Sequence, residues 1–154
     1  MSKRLKEQKS KVKISRDIAT KSVGESCEQY PTFSFLHLTT NKKHNFSYFG
    51  TSQKTDLQKT QKNCLDRLIE ISNKDWRSWL NLGKYIGCEP LDYSIMHFQA
   101  HGISLASDEN IYVFRFKLYN NKDDGRILGF RKGKCPIYYI IGFDFDFSAY
   151  DHGS

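Results

Sequence analysis

The stretch Ile111-Tyr-Val-Phe-Arg-Phe-Lys-Leu-Tyr119 alternates without a break, placing Tyr112, Phe114, Phe116 and Leu118 on one side and Ile111, Val113, Arg115, Lys117 and Tyr119 on the other. Period two is the signature of a β-strand, and the wholly apolar even set marks the side that faces a core. Downstream, Arg126-Ile-Leu-Gly-Phe130 and Ile137-Tyr-Tyr-Ile-Ile-Gly-Phe-Asp144 repeat the strand pattern. Their connectors, 120–125 and 131–136, are rich in Gly, Asn, Asp and Pro, so an antiparallel meander is the economical topology. The nearly continuous apolar run of 137–144 predicts a central strand covered by helices.

Upstream, Tyr30-Pro-Thr-Phe-Ser-Phe-Leu-His-Leu38 alternates Phe33, Phe35 and His37, which predicts a first strand over 32–38. Phe46–Phe49 reads as a short return strand or as irregular chain against the core. From Asp56 the period becomes helical: Leu57, Cys64, Leu65, Leu68, Ile69 and Ile71 recur at spacings of three, four and seven, with Ser52 or Thr55 able to cap the start. A second helix carries Trp76, Trp79, Leu80 and Leu82 and ends at Gly83 or Gly87. Residues 93–99 read as extended. The expected fold is therefore α+β: an antiparallel sheet of four or five strands with two antiparallel helices, 55–72 and 74–86, packed on one face.

The chain has 154 residues, enough for one core and not two; 38% of residues are hydrophobic and 14% aromatic, which excludes disorder throughout. No apolar run approaches the ~20 residues of a membrane span, and Met1–Arg16 lacks the apolar stretch of a signal peptide. A cytoplasmic location with no membrane partner is expected. The scattered Cys27, Cys64, Cys88 and Cys135 read as reduced thiols.

The net charge of +7 is unevenly spread. Residues 1–21 hold eight Lys/Arg against Glu7 and Asp17, a local +6, while the rest holds 16 against 15. The first 21 residues thus read as a basic, flexible tail, solvated or binding polyanions, ahead of a single domain over 30–154. A second local excess, seven Lys/Arg against two acids, runs from 111 to 134. Arg115, Lys117, Arg126, Arg131, Lys132 and Lys134 would project from the sheet face opposite the helices. An aromatic-edged cationic surface suits RNA, because Arg forks match phosphate and bases stack on Tyr; the competing reading is a solvated sheet face.

The C-terminal run Phe143-Asp-Phe-Asp-Phe-Ser-Ala-Tyr-Asp-His-Gly153 gathers hydroxyl, carboxyl and imidazole groups after a strand. His152 titrates near neutrality and can pass protons. Asp144 and Asp146 read either as general bases or metal ligands, or as carboxylates that cap turns and neutralise Lys/Arg. His97 and His101 lie four residues apart, ~13 Å on an extended segment, and lack a cysteine pair, so no metal site is expected. No P-loop, dinucleotide fingerprint or GxSxG is present. No cofactor is expected.

The order strand, two helices, antiparallel meander, Tyr/His terminus resembles the RelE/ParE-type toxins of bacterial toxin-antitoxin systems. The resemblance covers about residues 30–152. It rests on Ile111–Lys117, Gly125-Arg-Ile-Leu-Gly-Phe130 and Tyr138–Asp144 through Tyr150-Asp-His152, similar to that family's hairpin with one arginine per strand. It implies a metal-independent endoribonuclease acting on ribosome-bound mRNA, with a cognate antitoxin protein as partner. On it, Arg126 would stabilise the phosphate, Arg115 and Lys132 or Lys134 would position it, and Tyr150 and His152 would exchange protons; Lys117, Arg131, Lys132 and Lys134 would bind RNA. The basic tail, the 93–105 segment and the acids Asp144, Asp146 and Asp151 depart from that pattern. The alternative is a non-enzymatic RNA- or protein-binding module from a phage or mobile element, using the same charges.

Overall fold

The computed structural model describes residues 30–51, 57–118 and 124–153. The basic tail 1–21, the cap candidates Ser52 and Thr55 and the connector residues 119–123 lie outside them. The elements are β1 (Thr32–Ser34), α1 (Tyr48–Thr51), α2 (Leu57–Ser72), α3 (Trp76–Asn81), β2 (Cys88–Asp92), a 3₁₀ turn (Tyr93–Ile95), β3 (Asn110–Lys117), β4 (Asp124–Phe130) and β5 (Ile137–Asp144). The class is α+β. One five-stranded sheet runs in the order β1-β5-β4-β3-β2.

The β3-β4-β5 meander forms with Phe114 opposite Ile127 and Ile127 opposite Phe143. Side chains directly opposite share a face, so Phe114, Phe116, Ile127, Ile140 and Phe143 make one apolar surface, packed in a common core with Leu68, Ile71, Trp76 and Trp79. The face read from the alternation of β3 is the buried one. Where β4 meets β5 the register slips between Leu128 and Gly129. There a Cβ on Gly129 would stand 2.5 Å from the Tyr138 ring and 2.6 Å from the Tyr139 carbonyl, so the kink requires glycine.

Several expectations are corrected. The sheet is mixed rather than antiparallel, since β1 pairs parallel to β5 and ends at Ser34; hydropathy does not encode strand direction. β5 is not the middle strand; β4 is. Residues 88–92, which precede the expected extended segment, form a strand despite Pro90, because β2 is the sheet edge, where a missing N–H costs no ladder bond. The second helix is only Trp76–Asn81, and Phe46–Phe49 gives way to the short turn of α1 rather than a strand.

α3 is short but well anchored. Asp75 caps it, Oδ1 accepting from the Ser78 N–H at 2.9 Å and Oδ2 from the Ser78 hydroxyl at 2.7 Å. Those bonds hold the Asp75 carboxyl below its ordinary range. Trp79 Nε1 donates to the Ile71 carbonyl at 2.9 Å, clasping α3 to the end of α2. Leu65 and Ile69, which share the helical period of the core residues, are turned outward and are 54% and 62% exposed.

The largest departure is the far side of the sheet. Ile111, Val113, Leu128, Phe130 and Ile141 form a second core there, covered by Phe98, Ala100, Ala149 and Tyr150. The cover is tied down by backbone bonds, from the His97 N–H to the Ala149 carbonyl at 2.8 Å and from the His101 N–H to the His37 carbonyl at 3.0 Å. The expected solvated cationic face is thus mostly an apolar layer, and polar residues of that face survive only towards one end of the strands.

Candidate functional site

At that end, strand register sets three charged residues in a row on the covered face: Arg115 on β3 lies opposite Arg126 on β4, and Arg126 opposite Asp144 on β5. Two cations directly opposite each other repel. Carboxylates surround them. Asp144 is 1% exposed and Arg126 3%. Arg115 Nη2 is 3.6 Å from Glu89 and Nη1 is 3.8 Å from Asp124, both beyond hydrogen-bond distance. Lys117 Nζ, more exposed, takes Asp124 at 2.6 Å.

The segment after β5 folds over this row. Asp144 Oδ1 accepts from the Ser148 N–H at 3.0 Å and the Ala149 N–H at 3.4 Å, which turns the chain back. Phe147 adopts φ 68°, a left-handed conformation that costs a bulky side chain ~1–2 kcal/mol. Its ring lies 4.3 Å from the Arg126 guanidinium, with that of Tyr150 at 6.0 Å. Arg126 Nη1 also donates to the Asp124 carbonyl. His152 closes the cluster: Nε2 donates to Asp144 Oδ2 at 2.9 Å, and its ring centroid is 4.0 Å from Phe147 and 4.1 Å from Tyr150.

Burial lowers the His152 pKa, and the Arg126 charge lowers it further, against the opposing pull of Asp144. At pH 7 the imidazole is therefore neutral; with Nε2–H given to Asp144, Nδ1 carries the lone pair. Burial raises the Tyr150 pKa, and the Arg126 charge only partly offsets it. Tyr150 is consequently a proton donor and not a base at neutral pH. An activated tyrosine would need the opposite shift.

The four residues singled out for catalysis, Arg115, Arg126, Tyr150 and His152, fall in one cluster. Arg126 within it is sealed under Phe147 and Tyr150. Arg131, Lys132 and Lys134 do not join them. They follow the other end of β4, five residues from Arg126, or ~16 Å along the strand. There Arg131 lies over Trp76 at 4.3 Å and donates from Nε to the Cys135 carbonyl at 3.0 Å, while Lys132 lies over Tyr139 at 5.0 Å. Trp76 Nε1 donates to the Pro136 carbonyl at 2.9 Å, joining α3 to the same turn.

That junction brings in two cations that local sequence reasoning missed. Arg77, exposed, follows Trp76, and Lys74, also exposed, lies over the Trp79 ring at 4.8 Å. The available signal was Lys74-Asp-Trp-Arg77, basic residues interleaved with an aromatic. The one acid of that run, Asp75, is engaged as the cap of α3.

Among the described residues, the buried side-chain polar atoms with no hydrogen-bond partner are Arg67 Nε, Arg115 Nε and Arg126 Nε. Each such N–H typically costs ~1–3 kcal/mol. No group of three His, Cys, Asp or Glu that could hold a metal occurs among the described residues. His97 Nδ1 bonds the Ser148 carbonyl at 3.1 Å, a separate task from that of His101. The Cys64 and Cys88 thiols are pushed up to about 12 by burial and are inert. No helix among the described residues is long and apolar enough to cross a membrane. Comparison with protein families, curated proteins and solved structures gave no match for this chain.

Proposed function

We propose that the chain binds single-stranded RNA through its basic end. The observation that carries this reading is the docking of α3 on the β4–β5 turn, where Arg131 lies over Trp76 and Trp76 Nε1 bonds the Pro136 carbonyl, so that the exposed Lys74 and Arg77 beside Trp76 and the exposed Lys132 and Lys134 of the turn flank one junction, with Asp75 engaged in a helix cap. Guanidinium forks match phosphate oxygens, and exposed lysines add charge along a strand's backbone, while Trp76 and Trp79, 3% and 1% exposed, position the cations from below rather than stack on bases. Salt-dependent binding of a labelled 5′-hydroxyl RNA tests it. Each phosphate neutralised on a single strand contributes about −0.7 to the slope of log K against log salt, so Lys132→Ala with Lys134→Ala should flatten the slope by about 1.4. Undetectable RNA binding at low salt, or an unchanged slope in the double variant, overturns the assignment.

A second reading, the endoribonuclease with its antitoxin partner that the RelE/ParE resemblance implies, is favoured by one observation, the His152–Asp144 contact beside Arg126 and Tyr150. His152 Nδ1 would take the 2′-hydroxyl proton as that oxygen attacks phosphorus, and the Tyr150 phenol would protonate the departing 5′-oxygen, leaving a 2′,3′-cyclic phosphate. Arg126, sealed under Phe147 and Tyr150, would contribute its charge without touching the phosphate. Cleavage of ribosome-bound message that His152→Ala abolishes, while RNA affinity persists, would establish it; RNA recovered intact rejects it in favour of simple binding.

A further inference from the structure

The unpartnered Nε atoms of Arg67 and Arg115 have a common location. Both side chains line a groove of about 520 Å³, between α2, the loop carrying Tyr85 and Ile86, and β3 beyond its pairing with β2. The ladder between β2 and β3 begins at Cys88 opposite Phe114, so Arg115, Phe116 and Lys117 have no strand beside them on that edge. The volume falls in the range of small-ligand sites.

The groove's carboxylates are already committed. Glu70 takes Arg67 Nη1 at 2.6 Å, Asp124 takes Lys117 Nζ at 2.6 Å, and Asp66 takes Lys62 on the outer surface of α2. Arg67 is 9% exposed; its Nη2 serves the Ile86 carbonyl at 2.8 Å, and its Nε is free. Arg115 is freer still, since its nearest carboxylates stand at 3.6 and 3.8 Å and its Nε has no partner. A guanidinium presents its donors as a planar fork that fits two oxygens of one phosphate. Above Arg115, at 4.8 Å from the guanidinium carbon, lies the ring of Tyr85, 69% exposed. An exposed ring beside a guanidinium 16% exposed at the groove wall is a platform for a base next to a phosphate site.

We propose that this groove binds the terminal phosphate and base of a nucleoside monophosphate, free or at the end of an RNA strand, with Arg115 on the phosphate, Arg67 adding its charge from the groove wall, and Tyr85 under the base. It shares no residue with the basic end and stands or falls separately from it. A guanidinium with no carboxylate within hydrogen-bond distance, a strand edge with no neighbouring strand and an exposed aromatic ring meet at one groove.

The test titrates the isotope-labelled protein with AMP, adenosine, inorganic phosphate and a hexanucleotide carrying either a 5′-phosphate or a 5′-hydroxyl, following amide shifts of Tyr85, Ile86, Phe116 and Lys117. AMP should bind at least roughly tenfold more tightly than adenosine, in line with a charge-assisted phosphate contact. Tyr85→Ala, an exposed position that leaves the fold intact, should weaken AMP by about 5- to 150-fold, as loss of stacking on one base does, and leave inorganic phosphate unchanged. Arg115→Lys should weaken both, because an ammonium lacks the fork. Preference for the 5′-phosphorylated hexanucleotide assigns the strand end as the source; AMP binding without that preference assigns the free nucleotide. Absence of shifts at these amides with millimolar AMP and with the phosphorylated hexanucleotide, or an AMP affinity unaltered by Tyr85→Ala, overturns the proposal. RNA binding at the basic end, measured with the 5′-hydroxyl strand, is unaffected by Tyr85→Ala.

Discussion

Replacing Asp144 by Asn is the sharpest probe of the charged row. The side chain is 1% exposed, accepts from the Ser148 N–H, the Ala149 N–H and His152 Nε2 at 3.0, 3.4 and 2.9 Å, and faces Arg126 in register. Asparagine keeps the shape and one carbonyl oxygen but removes the charge that offsets a guanidinium only 3% exposed. Asp144 faces Arg126 across the strand register rather than in a contact ion pair, its bonded side-chain partner being His152, so the cost expected is that of a weakened buried acceptor beside a less compensated cation, ~1–3 kcal/mol. The loss of a charged acceptor for two backbone N–H groups belongs to the same total rather than adding to it. Urea denaturation read as the midpoint at constant m measures it. Arg126→Met combined with Asp144→Asn should recover at least about half the loss, since it withdraws the stranded charge. A single-variant loss below ~1 kcal/mol, or a double variant no more stable than Asp144→Asn, would refute the claim that Asp144 is the counter-ion of Arg126.

Acidification should destabilise the fold through His152. Its folded-state pKa lies below the ordinary 6.5, so below about pH 6.5 the unfolded chain binds the proton first and stability falls as pH drops towards the folded value; His152→Gln should flatten that part of the stability curve, as seen by thermal melts across pH. Phe147→Gly should be more stable than Phe147→Ala by about 1–2 kcal/mol, because both lose the ring over Arg126 while only glycine accepts φ 68° freely; equal melting temperatures would contradict the strain. Gly129→Ala should cost at least ~1–3 kcal/mol in chemical denaturation, since the added carbon meets a ring and a carbonyl at 2.5 and 2.6 Å.

Unaided, the sequence determined what depends on near neighbours. Alternation in Ile111–Tyr119 identified β3 and which of its faces meets the helices, because successive side chains of a strand must point to opposite sides. The same local logic located β4, β5 and the end of α2, and it placed Arg126, Tyr150 and His152 near one another, since strand length and a tight turn leave few alternatives. It failed where the deciding partner lies far along the chain. Ile111, Val113 and Arg115 share a face, and nothing in their spacing distinguishes a face met by water from one covered by Phe98 and Tyr150. Leu65 and Ile69 fit the helical period of Leu68 and Ile71, yet which part of that apolar stripe is buried depends on how α2 rolls against the sheet. Lys74 and Arg77 join Arg131, Lys132 and Lys134 only because Trp76 docks on the β4–β5 turn. Charge acts through space, and only the tertiary structure decided that Arg126 would be sealed beside Asp144 while the lysines of the next turn stayed in water; burial, which sets what a charge can do, is a property of the packing and is not written in any single segment.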